Sequence, residues 1–213
     1  MQKPEIIAGE IQNLTDARYF AAREVSYLSF RFDDHFGAQQ AAAIREWVDG
    51  VQMMGAFDFQ SATEIHEIAT FAGLHAIETG MFFDPEEASR LAQDFQLFRR
   101  MIVEHNSDAD ELRDNIHATT HLYRGFILDF RKNNLNFAHL EAGNSLNLDF
   151  LAALAAEAPI FLSIDIQPGE INTLLQRIEP RGLELIGGAE EKTGFKSFDE
   201  LDLLLDHLEE LFD

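Results

Sequence analysis

Short apolar runs alternate with segments of helical period from one end of the chain to the other. Ile6-Ile7-Ala8 precedes a helical segment from about Thr15, and Tyr27 to Phe32 precedes one over 38–48. Val51 to Phe57 precedes 61–71, His75 to Glu78 precedes 85–95, and Leu97 to Val103 precedes a helix starting near Asp108. Gly125 to Asp129, Pro159 to Ile164 and Gly182 to Ile186 open three more units, and the amphipathic stretch 198–212 closes the chain. Runs of this length without polar alternation read as strands covered on both faces, and the 3.6-residue period between them as helices packed on a sheet. Asp84-Pro85 and Pro168 mark helix starts. Eight βα units in 213 residues leave about 27 residues apiece, tight but workable for a single (β/α)8 barrel, an α/β fold. An open doubly wound sheet would carry a glycine-rich loop after its first strand, and Gly9-Glu10-Ile11 is not one. No linker or low-complexity tract divides the chain, so one domain over 1–213 is expected. The longest irregular stretch, 131–144, follows the sixth strand, where barrel enzymes carry functional loops. In the closing segment Leu203, Leu204, Leu208 and Leu211 form an apolar face expected to pack on the barrel.

Composition narrows the classes. Hydrophobic residues make up 46% and charged residues 25%, enough for a packed core. No apolar run reaches the roughly 18 residues of a membrane helix, and the N-terminus lacks a signal-like apolar region, which favours the cytoplasm. The chain has no cysteine, which excludes disulfides and thiolate metal sites. Its net charge is −22, from 38 acidic and 16 basic residues. Such a field repels nucleic acid and anionic lipid. The expected partners are therefore no nucleic acid, no membrane, and at most a small anionic ligand held weakly, in a monomer or homodimer.

The opening Glu5-Ile6-Ile7-Ala8-Gly9-Glu10-Ile11-Gln12-Asn13-Leu14-Thr15-Asp16-Ala17 resembles the first strand, loop and helix start of the phosphoribosylanthranilate isomerases. The family motif is Lys-Ile-Cys-Gly-Ile-Thr, a short loop, then Leu-x-Asp-Ala. With its glycine set on Gly9, the catalytic cysteine falls on Ala8 and the loop is one residue longer. The resemblance continues through Val51 to Asp58, Ile65-His66-Glu67-Ile68-Ala69 and Gly73-Leu74. Elsewhere the motifs are eroded. The family's Gln-Leu-His-Gly is Ile77-Glu78-Thr79-Gly80, and its Pro-Lys-Ser-x-Arg loop is Asp33-Asp34-His35-Phe36-Gly37, without the arginine. The resemblance implies a (β/α)8 barrel and, for intact members, an Amadori rearrangement in tryptophan biosynthesis. In that reaction an aspartate protonates the ring oxygen as the sugar opens, and a cysteine removes the C2 proton.

Asp129, at the end of the sixth strand, matches the family's general acid. The base is absent, and Glu10 is the candidate replacement. Of the two phosphate loops, the seventh has become Leu162-Ser163-Ile164-Asp165-Ile166-Gln167-Pro168, which puts an isoleucine and an acid where glycines belong. The eighth keeps small residues in Gly187, Gly188 and Ala189, the candidate phosphate cradle, with Gly194 further on. The chain is expected to be a divergent isomerase-like barrel with lost or strongly reduced activity and no cofactor. The alternatives are a working isomerase with Asp129 as acid and Glu10 as base, or a metal-assisted enzyme using an acidic rim. That rim would draw on Glu10, Asp33, Asp34, Asp58, Glu78, Glu104, Asp129 and Asp165, with His35 and His105 nearby. No residue is assigned as a metal ligand, because carboxylates at strand ends commonly cap the following helices. Arg131, Lys132, Lys192 and Lys196 read as solvated surface cations, His117 and His121 as surface histidines, and the 19 phenylalanines as core.

Overall fold

The computed structural model describes residues 2–32, 37–143, 145–187, 190–192, 195, 196 and 198–212; the side chains of 190–192, 195, 196 and 200 are outside that description. The eight apolar runs form parallel strands paired in chain order and closed on themselves: β1 (Glu5–Gly9), β2 (Tyr27–Arg31), β3 (Gln52–Phe57), β4 (Ala76–Thr79), β5 (Gln96–Ile102), β6 (Gly125–Asp129), β7 (Ile160–Ser163) and β8 (Gly182–Ile186). β8 returns to β1 over five residue pairs, Glu5 opposite Gly182 through Gly9 opposite Ile186. The expected (β/α)8 barrel is the fold.

Most helices start where a local acceptor meets a free amide. In α1 (Leu14–Ala22) Asn13 accepts from the Asp16 N–H at 3.0 Å. In α3 (Ala62–Ala72) Ser61 and Glu64 form a reciprocal capping box, and Gly73 ends the helix at φ 68°, where a side chain would be strained. In α4 (Pro85–Leu91) Asp84 accepts from two amides ahead of the proline. Two helices stop short of the predicted ends: α2 (Ala38–Arg45) before Val48 and α4 before Phe95, where turns feed the next strand. α5 (Ala109–Thr119) follows β5 as expected.

The stretch after β6 is not irregular throughout. It holds a 3₁₀ turn (Arg131–Asn133) and a short α6 (Phe137–Glu141), whose Phe137 and Leu140 are buried. α7 (Leu148–Glu157) then leads into β7, and α8 (Pro168–Ile178) into β8. After β8 the backbone makes two short antiparallel strands, β9 (Glu190–Lys192) and β10 (Phe195–Lys196), which the sequence reading lacks. In α9 (Asp199–Phe212) the buried leucines are 201, 204, 205 and 208, while Leu203 is 62% exposed. The apolar face is therefore rotated from the one expected. α9 is tied to α1 through Arg23, at 2.5 Å from Asp202 and 2.6 Å from Asp206.

The core has two parts. One lies between strands and helices. The other is an apolar plug inside the barrel: Ile7, Tyr27, Met54, Ala76, Phe98, Ile127 and Phe161. Glycines make room for the Phe161 ring, since a Cβ on Gly125 or Gly182 would clash with it. Below the plug, Glu5 bridges Arg124 at 2.6 Å and Arg181 at 2.5 Å, and Tyr27 donates to Gln96 at 2.9 Å. The barrel is thus sealed at its lower end, and chemistry is left to the upper one.

Candidate functional site

Residues spaced by two along a strand face the same side of the sheet. Two residues above the plug, the inward positions turn polar: Ser29 follows Tyr27, Glu78 follows Ala76, Arg100 follows Phe98, Asp129 follows Ile127 and Ser163 follows Phe161. Glu184 joins them from β8. These side chains floor a cavity of about 450 Å³ at the C-terminal ends of the strands. Ala56, Ile102 and Ile186 supply apolar wall, and Glu10, Arg31, Asp58, Arg131 and Lys132 stand around it.

At its centre is Arg100, whose five N–H groups all meet carboxylate oxygens. Nε donates to Glu78 at 2.5 Å, Nη2 to Glu78 at 3.0 Å and Glu184 at 2.6 Å, and Nη1 to Asp129 at 2.9 Å and Glu184 at 3.0 Å. Two of the three carboxylates are engaged bidentately, the strongest geometry open to a guanidinium. Burial works against the charge on Arg100, but the fields of Glu184 and Glu78 overcome it and push its pKa well above the ordinary value. For Glu184, burial favours the neutral acid, and the charge and hydrogen bonds of Arg100 prevail, holding the carboxyl below its usual range. The Ser163 hydroxyl lies near enough to Glu184 to support that ionisation, yet makes no hydrogen bond of full geometry with any described group.

The structure brings together part of the expected acidic rim and separates the rest. Asp129 and Glu10 both border the cavity. Asp129 is committed at both oxygens, Oδ2 to Arg100 and Oδ1 to the Lys132 N–H at 3.0 Å. It therefore also caps the turn after β6. Asp58 pairs with Arg31 at 2.8 Å, and Asp165 pairs with Arg131, so this arginine is not a solvated surface cation. Glu104 and His105 line a separate small cleft with His139, away from the mouth. His117 is on the surface, 3.1 Å from Glu157, and His121 is exposed. Asp33, Asp34, His35, Gly188, Ala189 and Gly194, with the side chains of Lys192 and Lys196, lie outside the described residues; Gly187 directly follows β8. Among the described residues no three of His, Cys, Asp and Glu are grouped to hold a metal ion.

Two sequence registers need correction. Ala8 faces the helices and is fully buried in the outer core, so it is not at the mouth. The inward residue at the end of β1 is Gly9, where an added Cβ would lie 2.9 Å from Glu184 Oε1. Setting the family loop to its own length moves the cysteine position onto Gly9 and the motif's glycine onto Glu10. Glu10 has φ 54°, the left-handed conformation that favours glycine. The thiol is absent in either register, but the group beside its place is Glu184. In the seventh loop, Ile164 does not crowd the mouth. It is buried in the outer core, and only Asp165 turns outward.

Arg100 and Glu184 are the site residues that sequence reasoning missed. Each had a signal: paired arginines in Phe98-Arg99-Arg100-Met101, and a lone acid in Leu183-Glu184-Leu185, both inside runs otherwise buried. The outward partner Arg99 donates to Thr119 at 2.9 Å and to the Met81 carbonyl.

No family model matches the sequence, and no curated protein matches it. Solved structures do. Phosphoribosyl anthranilate isomerase from Thermotoga maritima superposes with a TM-score of 0.77 at 15% identity, over 97% of this chain and 99% of that one. The enzyme from Thermus thermophilus gives 0.74 at 22%, over 98% and 99%. KGPDC from Streptococcus mutans gives 0.67 at 10%, over the whole of both chains. The resemblance read from the motifs is thus matched over nearly the full length, and at these identities the likeness is one of fold.

Proposed function

We propose that this chain is a phosphoribosylanthranilate isomerase-like barrel that has lost the isomerase reaction, or retains it only strongly reduced, and that its mouth is a charged binding site. The observation that carries this reading is Arg100 saturated by Glu78, Asp129 and Glu184. An acid for ring opening must present a proton. Asp129 instead accepts at both oxygens, as an anchored carboxylate does. The β1 position beside the chemistry is a glycine, so no thiol can serve as base; a missing general base removes about 10²–10⁴-fold in rate.

The substrate's charge argues the same way. One similar phosphoribosyl anthranilate isomerase structure holds reduced 1-(o-carboxyphenylamino)-1-deoxyribulose 5-phosphate, which carries a carboxylate and a phosphate. Here the cavity floor has three carboxylates to one guanidinium, with no donor of that guanidinium to spare. At the start of α8 the Gln167 amide, a natural phosphate donor, is already taken by Glu170 at 2.9 Å. Gly187-Gly188-Ala189 remains the only small-residue cradle in the sequence reading, so phosphate binding there is proposed to be weak.

The working-isomerase alternative retains Glu10 at the cavity edge as base and Asp129 as acid. The two readings part in a direct assay. Purified protein given phosphoribosylanthranilate should show at most a trace of turnover above the uncatalysed rate, and the gene should not restore growth to a tryptophan auxotroph lacking the isomerase. Robust growth would overturn the proposal.

A further inference from the structure

Three carboxylates share one guanidinium in the floor of the cavity, and among the described residues the wall offsets that imbalance only in part. Arg31 and Arg131 are spent on Asp58 and Asp165, which leaves Lys132 as the rim cation with no ion pair among the described residues. Each floor oxygen that accepts from Arg100 keeps a second lone pair. Ser163 is a second and independent signal. It is 1% exposed, borders the cavity, and its Oγ, although close to Glu184, makes no hydrogen bond of full geometry among the described residues. A buried hydroxyl left without a well-formed hydrogen bond is unfavourable, so its presence beside an open cavity marks a place for a ligand's polar group. Ile102 and Ile186 offer apolar wall above it.

We propose that the barrel mouth binds a small organic cation, an aliphatic amine or guanidine, with its charged head against Asp129, Glu78 and Glu184, its N–H donating to Ser163 Oγ, and its stem along Ile102 and Ile186. This rests on the reading that the cavity no longer serves the isomerisation. A cation restores the charge balance of the floor, fills the lone pairs that Arg100 leaves, and is drawn in by a chain of net charge −22. A phosphate ester would meet the same groups with the wrong sign. A bare metal ion fits less well, because the carboxylates are oriented by Arg100 and are not grouped for coordination.

The test is calorimetry with putrescine and agmatine on the full chain, with butanediol, ribose phosphate and magnesium chloride at matched ionic strength as controls. Saturable binding is expected for at least one amine and for no control. Ser163→Ala should weaken it about tenfold, the loss of one hydrogen bond to a charged group, and Asp129→Asn by a similar factor. Both changes are nearly isosteric, and thermal melts will report whether the variants fold. The inference is overturned if no amine binds saturably, if ribose phosphate or magnesium alone binds, or if amine affinity is unchanged in both folded variants. Efficient turnover of phosphoribosylanthranilate by the same preparation would instead overturn the reading of lost or strongly reduced activity. Absence of both turnover and amine binding would sink only the present inference.

Discussion

The plug and the floor of the cavity lie one above the other in the same strands and are held by opposite physics. The plug, from Ile7 to Phe161, is close-packed hydrocarbon and aromatic rings; Phe98 meets Phe161 edge-on at 5.3 Å and Tyr27 at 5.1 Å. The floor, two residues up, is an arginine inside a ring of acids. The plug tolerates apolar replacements that conserve its volume. The floor is not: its charges are buried and stable only as a set, because each has lost its water and gained the others. A barrel kept solely for stability would extend the plug upward, since well-packed apolar residues often replace a buried ion cluster without loss. Retention of four charged side chains here is therefore an argument for a binding role.

The largest expected effects come from breaking each layer in turn. Phe161→Ala should lose about 3–5 kcal/mol in urea unfolding, because Gly125 and Gly182 have no side chains to fill the space. That loss should be the same at pH 7 and pH 5. Arg100→Met should lose about 3–5 kcal/mol at pH 7, leaving three carboxylates uncompensated. Arg100→Lys, with its charge but fewer donors, should fall between wild type and Arg100→Met. The sign of the pH dependence separates the layers. In the wild type the Glu184 carboxyl is held below its ordinary value, so its contribution is full above the unfolded pKa of about 4.3 and disappears as pH falls through the folded value. In Arg100→Met the charge that holds the Glu184 carboxyl down is gone, and its burial then favours the neutral acid. That variant should regain about 1–2 kcal/mol between pH 7 and 5. A deficit independent of pH would mean the floor is held by packing and not by charge.

The same contrast explains what the sequence disclosed. The plug, the strands and most helix starts follow from apolar runs, capping residues and prolines, signals that repeat and reinforce one another. Asp129 and Glu10 were legible because they end strands. Arg100 and Glu184 were not, because a charge inside a strand run reads as an interruption until the opposite strand supplies its partner, here 84 residues away. At Ala8 the glycine that follows fits the family motif in one register and the loop length fits it in another, one residue apart. Inward and outward alternate at every step of a strand, so a slip of one exchanges the core face for the cavity. The short α6 was missed because its five residues are fewer than two turns.

That slip can be tested in a chain without cysteine, where one introduced thiol is its own reporter. Ala8→Cys should be folded and unreactive toward iodoacetamide until unfolding, because the position is fully buried among helices. Gly9→Cys should react in the native state at about pH 9, since its thiol enters the mouth. It should also lose about 1–3 kcal/mol, because its Cβ would crowd Glu184 and Ile186 at 2.9 and 3.0 Å. Equal labelling of the two, or faster labelling at position 8, would restore the first alignment.

The smallest effect sharpens the same point through the backbone. Glu10 sits at φ 54°, and only glycine adopts that conformation without a steric cost of about 1–2 kcal/mol. Its side chain also has interactions of its own, so Glu10→Gly alone would mix two terms. Glu10→Ala removes the same side chain but keeps the Cβ. The difference between the two variants isolates the backbone, and Glu10→Gly should be the more stable by about 1 kcal/mol, reduced from the steric figure by the greater freedom of glycine in the unfolded chain. This is the position onto which the corrected register places the family's glycine. If alanine proves as stable as glycine there, the left-handed turn is not a constraint of this strand end, and the match of the family's cysteine to Gly9 rests on loop length and on the inward–outward alternation of β1.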